Sequence, residues 1–203
     1  KKGTYKPYSE NELIEVLLYI KENIPPYVRI NRLPRDIPTE YIIDGYEHTN
    51  LRQILLDRLS KDGKYCKCIR CREIGLHRRP LDDIKLIVRK YRASEGDEYF
   101  ISYETKDERY IYGFIRLRLP KKNVKNTTFP ELTNCALIRE LHVYGNMNPV
   151  DTNLNKIQHK GLGTKLMKMA EWIAMKNGYF KFAVISGVGV RKYYEKKHGY
   201  TLG

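Results

Sequence analysis

A chain of 203 residues with 38 Lys and Arg against 24 Asp and Glu carries a formal charge of +14 and a pI near 9.5, which points to polyanionic partners, nucleic acid first. A lysine-rich, heat-adapted surface is the bland alternative, but the basic residues cluster locally in loops. No apolar run is long enough to span a bilayer and no signal peptide opens the chain, so a cytoplasmic setting is expected.

The first residue is Lys1, so a piece of a longer protein is expected. Ser9 followed by Glu12 is a capping-box pattern, and Leu13, Val16, Leu17 and Ile20 then recur at helical spacing up to Pro25-Pro26. Residues 27–30 read as a short strand, followed by a basic loop punctuated by Pro34 and Pro38. A second helix is predicted from Thr49 or Asn50 through Leu51, Ile54, Leu55 and Leu59. A Cys-rich turn comes next, then Pro80, where a helix carrying Ile84, Ile87 and Val88 is predicted and a domain boundary is placed. Beyond it, 99–104 and 110–119 flank the polar turn 106–109 as a hairpin. A strand over 136–144 precedes a helix striped by Leu162, Leu166, Met169 and Ile173. A short buried strand over 180–186 and a helix over 190–198, with Gly199 as its C-cap, complete a mixed α/β domain.

Three of the four cysteines, Cys66, Cys68 and Cys71, fall within six positions. That spacing suits a metal in a reducing, cytoplasmic compartment better than a disulfide framework. Three thiolates can share one zinc that staples the segment, with His77 preferred as fourth ligand and His48 or Cys135 as more distant options. The alternative is three reduced cysteines whose thiols the nearby Lys64, Lys67, Arg70 and Arg72 acidify in either case. Arg29, Arg32 and Arg35 in one loop, and Arg70, Arg72, Arg78 and Arg79 in another, are candidates for gripping RNA phosphates. Tyr27, Tyr41, Tyr46 and Tyr65 could stack on unpaired bases. Solvated charged loops are the plain alternative.

The most specific signal is Arg139-Glu140-Leu141-His142-Val143-Tyr144-Gly145 followed by Gln158-His159-Lys160-Gly161-Leu162-Gly163. Glycines where a loop turns into a helix let a phosphate approach backbone N–H groups, and the helix dipole favours the anion. His159 and Lys160 could add charge. Such a cradle suits the diphosphate of an acyl carrier such as coenzyme A, although glycines at helix starts are common.

These motifs, with Ala183-Val184-Ile185-Ser186-Gly187-Val188-Gly189 and Arg191-Lys192-Tyr193-Tyr194, resemble the acetyltransferase domain of the Elongator catalytic subunit family, within the GNAT superfamily. Upstream, Arg35-Asp36-Ile37-Pro38, Asn50-Leu51-Arg52 and the run from Cys66 to Glu73 extend the likeness to nearly the whole chain. The resemblance implies an α/β fold: a GNAT-like mixed sheet flanked by helices, preceded by a small α/β segment with a Cys-rich linker. It divides the chain into the tail of a radical S-adenosylmethionine domain (1–65), a zinc-binding linker (66–80) and a coenzyme-binding acetyltransferase domain (81–203).

Members of that family modify the wobble uridine of tRNA, the acetyl group of acetyl-CoA ending as a carboxymethyl group on carbon 5. The three-cysteine loop for a [4Fe–4S] cluster is absent here, so cluster and S-adenosylmethionine belong to the intact protein. The resemblance places Glu140, Leu141, His142 and Val143 on the pantetheine arm. It places Gln158, His159, Lys160, Gly161, Leu162, Gly163, Thr164 and Lys165 around the diphosphate, and Ser186 where the arm enters. Tyr193 and Tyr194 face the thioester sulfur, Tyr194 being the favoured contact and proton donor. Glu140 is a candidate general base, or else a buried glutamate held by Arg139 or His142. Expected partners are acetyl-CoA, the anticodon region of tRNA, and further Elongator subunits or a second copy of the chain. Two rivals remain: a protein lysine N-acetyltransferase acting on histones, which the cationic surface disfavours, and an RNA-binding module with a vestigial coenzyme site.

Overall fold

The capping box forms as its residues predict. Ser9 Oγ accepts the Glu12 N–H at 3.4 Å and the Glu12 carboxylate accepts the Ser9 N–H at 2.8 Å, which starts α1 (Glu10–Asn23). The computed structural model describes residues 3–4, 6–33, 39–41, 46, 50–76, 83–124, 128–144 and 161–202. Contacts divide the chain into two units, Lys1–Arg72 and Glu73–Gly203.

In the first unit α1 packs on α2 (Leu51–Lys61) through buried Ile14, Leu51 and Leu55, with Leu13, Leu17 and Leu18 around them. Val16 and Ile20, expected on the apolar stripe, are exposed instead. The inner face turns towards Ile14 and Lys21, the two buried residues of α1. Residues 27–30 are not a strand. The Val28 N–H closes a turn on the Pro25 carbonyl, and the Val28 carbonyl accepts from Ile69 N–H at 2.9 Å, at the start of the one-turn helix α3 (Ile69–Arg72).

The second unit is built on five strands in sequential order: β1 (Ile84–Ala93), β2 (Gly96–Thr105), β3 (Ile111–Leu119), β4 (Cys135–Val143) and β5 (Lys181–Val184). The first four are antiparallel and β5 runs parallel to β4. The helix expected at Ile84, Ile87 and Val88 is thus a strand, paired with Thr105, Ser102 and Ile101. Its turn consists of Ser94 and Glu95, both at positive φ (47° and 60°), the backbone of a tight primed hairpin turn. Arg118 braces that turn by donating to the Ala93 and Ser94 carbonyls at 3.0 and 2.7 Å.

On one sheet face lies α4 (Leu162–Lys176), whose Leu166, Met167, Ala170 and Ala174 are buried against Ile101, Ile115, Leu117 and Ile138. Burying each large apolar side chain contributes roughly 1.5–3 kcal/mol, so this face is the main core. The opposite face is striped with ion pairs: Arg89 with Glu104, Arg116 with Glu140, and Arg118 and Arg139 with Glu98. The last helix, α5 (Arg191–His198), stops at Gly199 (φ 71°), as expected. Among the described residues no helix is long and apolar enough to cross a membrane.

Candidate coenzyme cleft and cysteine cluster

β4 and β5 begin side by side and then part. Their pairing runs from Cys135–Lys181 to Ile138–Val184, with one further bond from the Ile185 N–H to the Ile138 carbonyl at 2.9 Å. β4 continues to Val143, and no strand among the described residues pairs with it on that side beyond Ile138. The cause lies in the β3–β4 register: Arg116 pairs with Glu140 and Leu117 with Ile138, so Arg139 is an extra residue in β4. Such a bulge bends and twists the strand. The edge it leaves can pair with an extended, amide-bearing ligand as a neighbouring strand would.

The amino end of α4 adjoins this open stretch. A Cβ placed on Gly163 would lie 3.0 Å from the Tyr193 phenol oxygen, 3.7 Å from Val143 Cγ2 and 3.9 Å from Leu141 Cδ2. The structure therefore brings Leu141, Val143, Gly163 and Tyr193 together. Gly161, at φ 94°, enters the helix in a left-handed conformation. Among the described residues no side chain caps the first turn, and no acid stands in it, so its N–H groups keep their field for an external anion. Leu162 is buried, Thr164 half-buried and Lys165 exposed. Gln158, His159 and Lys160 lie outside the described residues.

Strand alternation sends the other candidates elsewhere. Glu140 accepts from Arg116 Nε at 3.0 Å on the ion-paired face, and His142 clusters with the rings of Phe114 and Tyr144. The Glu140 carboxylate is thus not brought to Gly163, and its guanidinium partner keeps it an ion-pair member; that partner is Arg116, not Arg139 or His142. Ser186 sits two residues past the end of β5, half-buried. Tyr194 is only 8% exposed and belongs to the main core, where burial first and Tyr193 second push its phenol pKa up. Tyr193 keeps 38% exposure, and its phenol oxygen lies 3.3 Å from His198 Nε2. His198 escaped the sequence reading because the two residues are five apart, outside the three- and four-residue spacings that mark a helical face.

In the first unit the sulfurs of Cys66, Cys68 and Cys71 all lie within 4.8 Å of one another. Hydrogen bonds from Cys66 and Cys71 hold the Cys68 thiol well below its usual pKa, while sharing with Cys68 drives Cys66 up. Lys21 Nζ and Arg52 Nη1 each donate to Cys71 Sγ at 3.7 Å. Three converging soft donors with two cations beside them fit a thiophilic divalent metal. His77 and His48 lie outside the described residues, and Cys135 belongs to the second unit.

Of the arginines expected to grip phosphates, Arg32 and Arg70 are exposed and Arg29 is half-buried, donating to Asn31 Oδ1 at 3.0 Å. Arg72 is not on the surface: it is 1% exposed and donates to the carbonyls of Lys67 and Pro26 at 2.9 and 2.7 Å. Two backbone acceptors make it a structural residue. Arg35, Arg78 and Arg79 lie outside the described residues.

The chain is similar to known proteins along its whole length. Residues 1–61 match the radical S-adenosylmethionine C-terminal domain family. The chain is 42% identical to a tRNA uridine(34) acetyltransferase of Methanocaldococcus jannaschii, an alignment covering 97% of the chain and 37% of that protein. It is 42% identical to Elongator complex protein 3 of Saccharomyces cerevisiae, over 100% of the chain and 37% of the relative. The solved structure of archaeal Methanocaldococcus infernus Elp3 with an N-terminal deletion superposes with a TM-score of 0.82 at 38% identity, covering 100% of this chain and 49% of that one. The chain therefore spans little more than a third of the length of these curated relatives.

Proposed function

Because the chain belongs to the Elongator complex protein 3 family along its whole length, we propose that it is the acetyl-CoA- and tRNA-binding part of an enzyme that modifies the wobble uridine of tRNA. The observation that carries this reading is the parting of β4 from β5 beside the uncapped amino end of α4. An amide-bearing pantetheine arm fits the free strand edge at Arg139 to Val143. The diphosphate then meets the first-turn N–H groups beside Gly161 and Gly163. Tyr193, over Gly163, is the group placed to hydrogen-bond the thioester or to protonate the departing thiolate.

In the intact protein the acetyl group ends on carbon 5 of the base, with the cluster and S-adenosylmethionine supplied by the part of the family beyond this chain. The three cysteines hold zinc, which braces the end of the first unit. A lysine N-acetyltransferase acting on basic tails is disfavoured, because a surface of net charge +14 repels them.

Acetyl-CoA binding by calorimetry, and thioester cleavage with and without tRNA, test the reading. Tyr193→Phe is expected to slow cleavage by about 10- to 100-fold while Tyr194→Phe retains most of it. A wild type that binds no acetyl-CoA would leave the vestigial-site reading standing. If Tyr194→Phe carries the loss, the roles within the pair are reversed.

A further inference from the structure

We propose that His198 is a positioning residue that holds the Tyr193 phenol over Gly163 at the amino end of α4. The inference deepens the acetyl-CoA reading and rests on it.

A tyrosine with 38% of its surface exposed, in the first turn of an eight-residue helix, has several rotamers open to it in solvent. Two neighbours restrict Tyr193. The Tyr194 ring meets it edge-on at 5.3 Å between centroids. The His198 ring does the same at 5.3 Å, with Nε2 3.3 Å from the phenol oxygen. His198 is itself fixed, as the last residue of α5. Behind it Gly199 returns its N–H to the Glu195 carbonyl at 3.1 Å, and Tyr200 donates its hydroxyl to Glu171 of α4 at 2.9 Å. The phenol is therefore tied through His198 to the same helix whose amino end forms the cradle.

The tie has a chemical consequence. An imidazolium can only donate to the phenol oxygen, leaving the phenol O–H to point outward at a thiolate or carbonyl. A neutral ring whose Nε2 bears the lone pair draws that O–H back towards itself. Around His198 stand Glu171 and Lys168 of α4, Lys197 and Tyr194 of its own helix, and Tyr200. Burial lowers its pKa; Glu171 opposes this and the two lysines reinforce it. The ring thus takes up its charge on the acid side of the ordinary histidine range, and phenol presentation changes there.

Two variants and two readouts test this. His198→Leu removes the ring nitrogen, and His198→Gln keeps a polar group of similar reach. With ring-labelled tyrosine, the Tyr193 NMR signal, assigned by its loss in Tyr193→Phe, is expected to titrate on the acid side of the ordinary histidine range in wild type and to be flat in His198→Leu. In acetyl-CoA cleavage, His198→Leu should lower kcat about 3- to 10-fold with little change in KM and lose the acid inflection, and His198→Gln should recover much of the rate. A pH-insensitive Tyr193 signal in wild type, or a His198→Leu pH profile matching wild type, would overturn the proposal. A wild type that binds no acetyl-CoA removes the coenzyme reading together with this role. A wild type that binds and cleaves, with an unresponsive Tyr193, removes only the positioning role.

Discussion

Lys21 is fully buried, and its ammonium lies 3.7 Å from Cys71 Sγ. Removing an ammonium from water costs several kcal/mol unless an opposite charge offsets it. Three thiolates on a divalent ion leave one negative charge in excess, and Lys21 and Arg52, both donating to Cys71, stand where that charge develops. Such outer-shell donors orient and stabilise ligands, and their loss typically weakens metal binding by about 10- to 100-fold. Lys21→Met, which retains the packing volume, should therefore lower zinc affinity by about that factor in competition with a chromogenic chelator. The metal-free variant should melt no lower than metal-free wild type, because the buried cation leaves along with its partner's loss. Zinc affinity equal to wild type would show that the thiolates need no help from Lys21.

At the scale of elements, the helix that begins at Gly161 makes the sharpest demand. A side chain at φ 94° is strained by roughly 1–2 kcal/mol, although no described residue stands within 4 Å of the Cβ position. Gly161→Ala should lower the melting temperature by about 2–5 °C and weaken acetyl-CoA binding more than the stability change alone explains. A melting point unchanged by the substitution would mean the helix can begin elsewhere. This helix was legible in the sequence, as were the capping box at Ser9, the second helix, the β2–β3 hairpin and the Gly199 cap, because each pairs a periodic stripe with a chemical start or stop signal. The misread elements lacked one or the other. Ile84, Ile87 and Val88 have helical spacing, and the Ser94-Glu95 turn carries none of the Asn-Gly chemistry that usually announces a hairpin; its strained backbone is braced from afar by Arg118. On α1 the inward position of Lys21 concealed the true face, since a charged residue ranks as surface until its sulfur partners are known. At the site, the two glycines, Leu141 and Val143 could be named in advance. Which of Tyr193 and Tyr194 is buried could not, because adjacent helical residues differ in direction by about 100° and only packing says which one points inward.

Across the whole molecule, the net charge of +14 is less freely available than the sequence suggests. Arg89, Arg116, Arg118 and Arg139 each meet a carboxylate on one sheet face, and Arg72 is buried on backbone carbonyls. Exposed side chains such as Arg32 and Arg70 face solvent, and contacts they make with phosphate are mainly electrostatic and reversed by salt. If some four to six phosphates are neutralised, tRNA affinity should fall about 10²- to 10³-fold between roughly 50 and 200 mM salt, measured by filter binding or anisotropy. Arg32→Gln and Arg70→Gln should each make the log–log salt slope shallower by about one, and Arg32→Gln should leave the melting temperature unchanged. Arg72→Gln should do the reverse: the slope stays as it was while the first unit loses stability, since two part-buried carbonyls are left without their donor. A flat salt response, or a slope that shifts with Arg72 and not with Arg32 or Arg70, would place the RNA surface away from these loops.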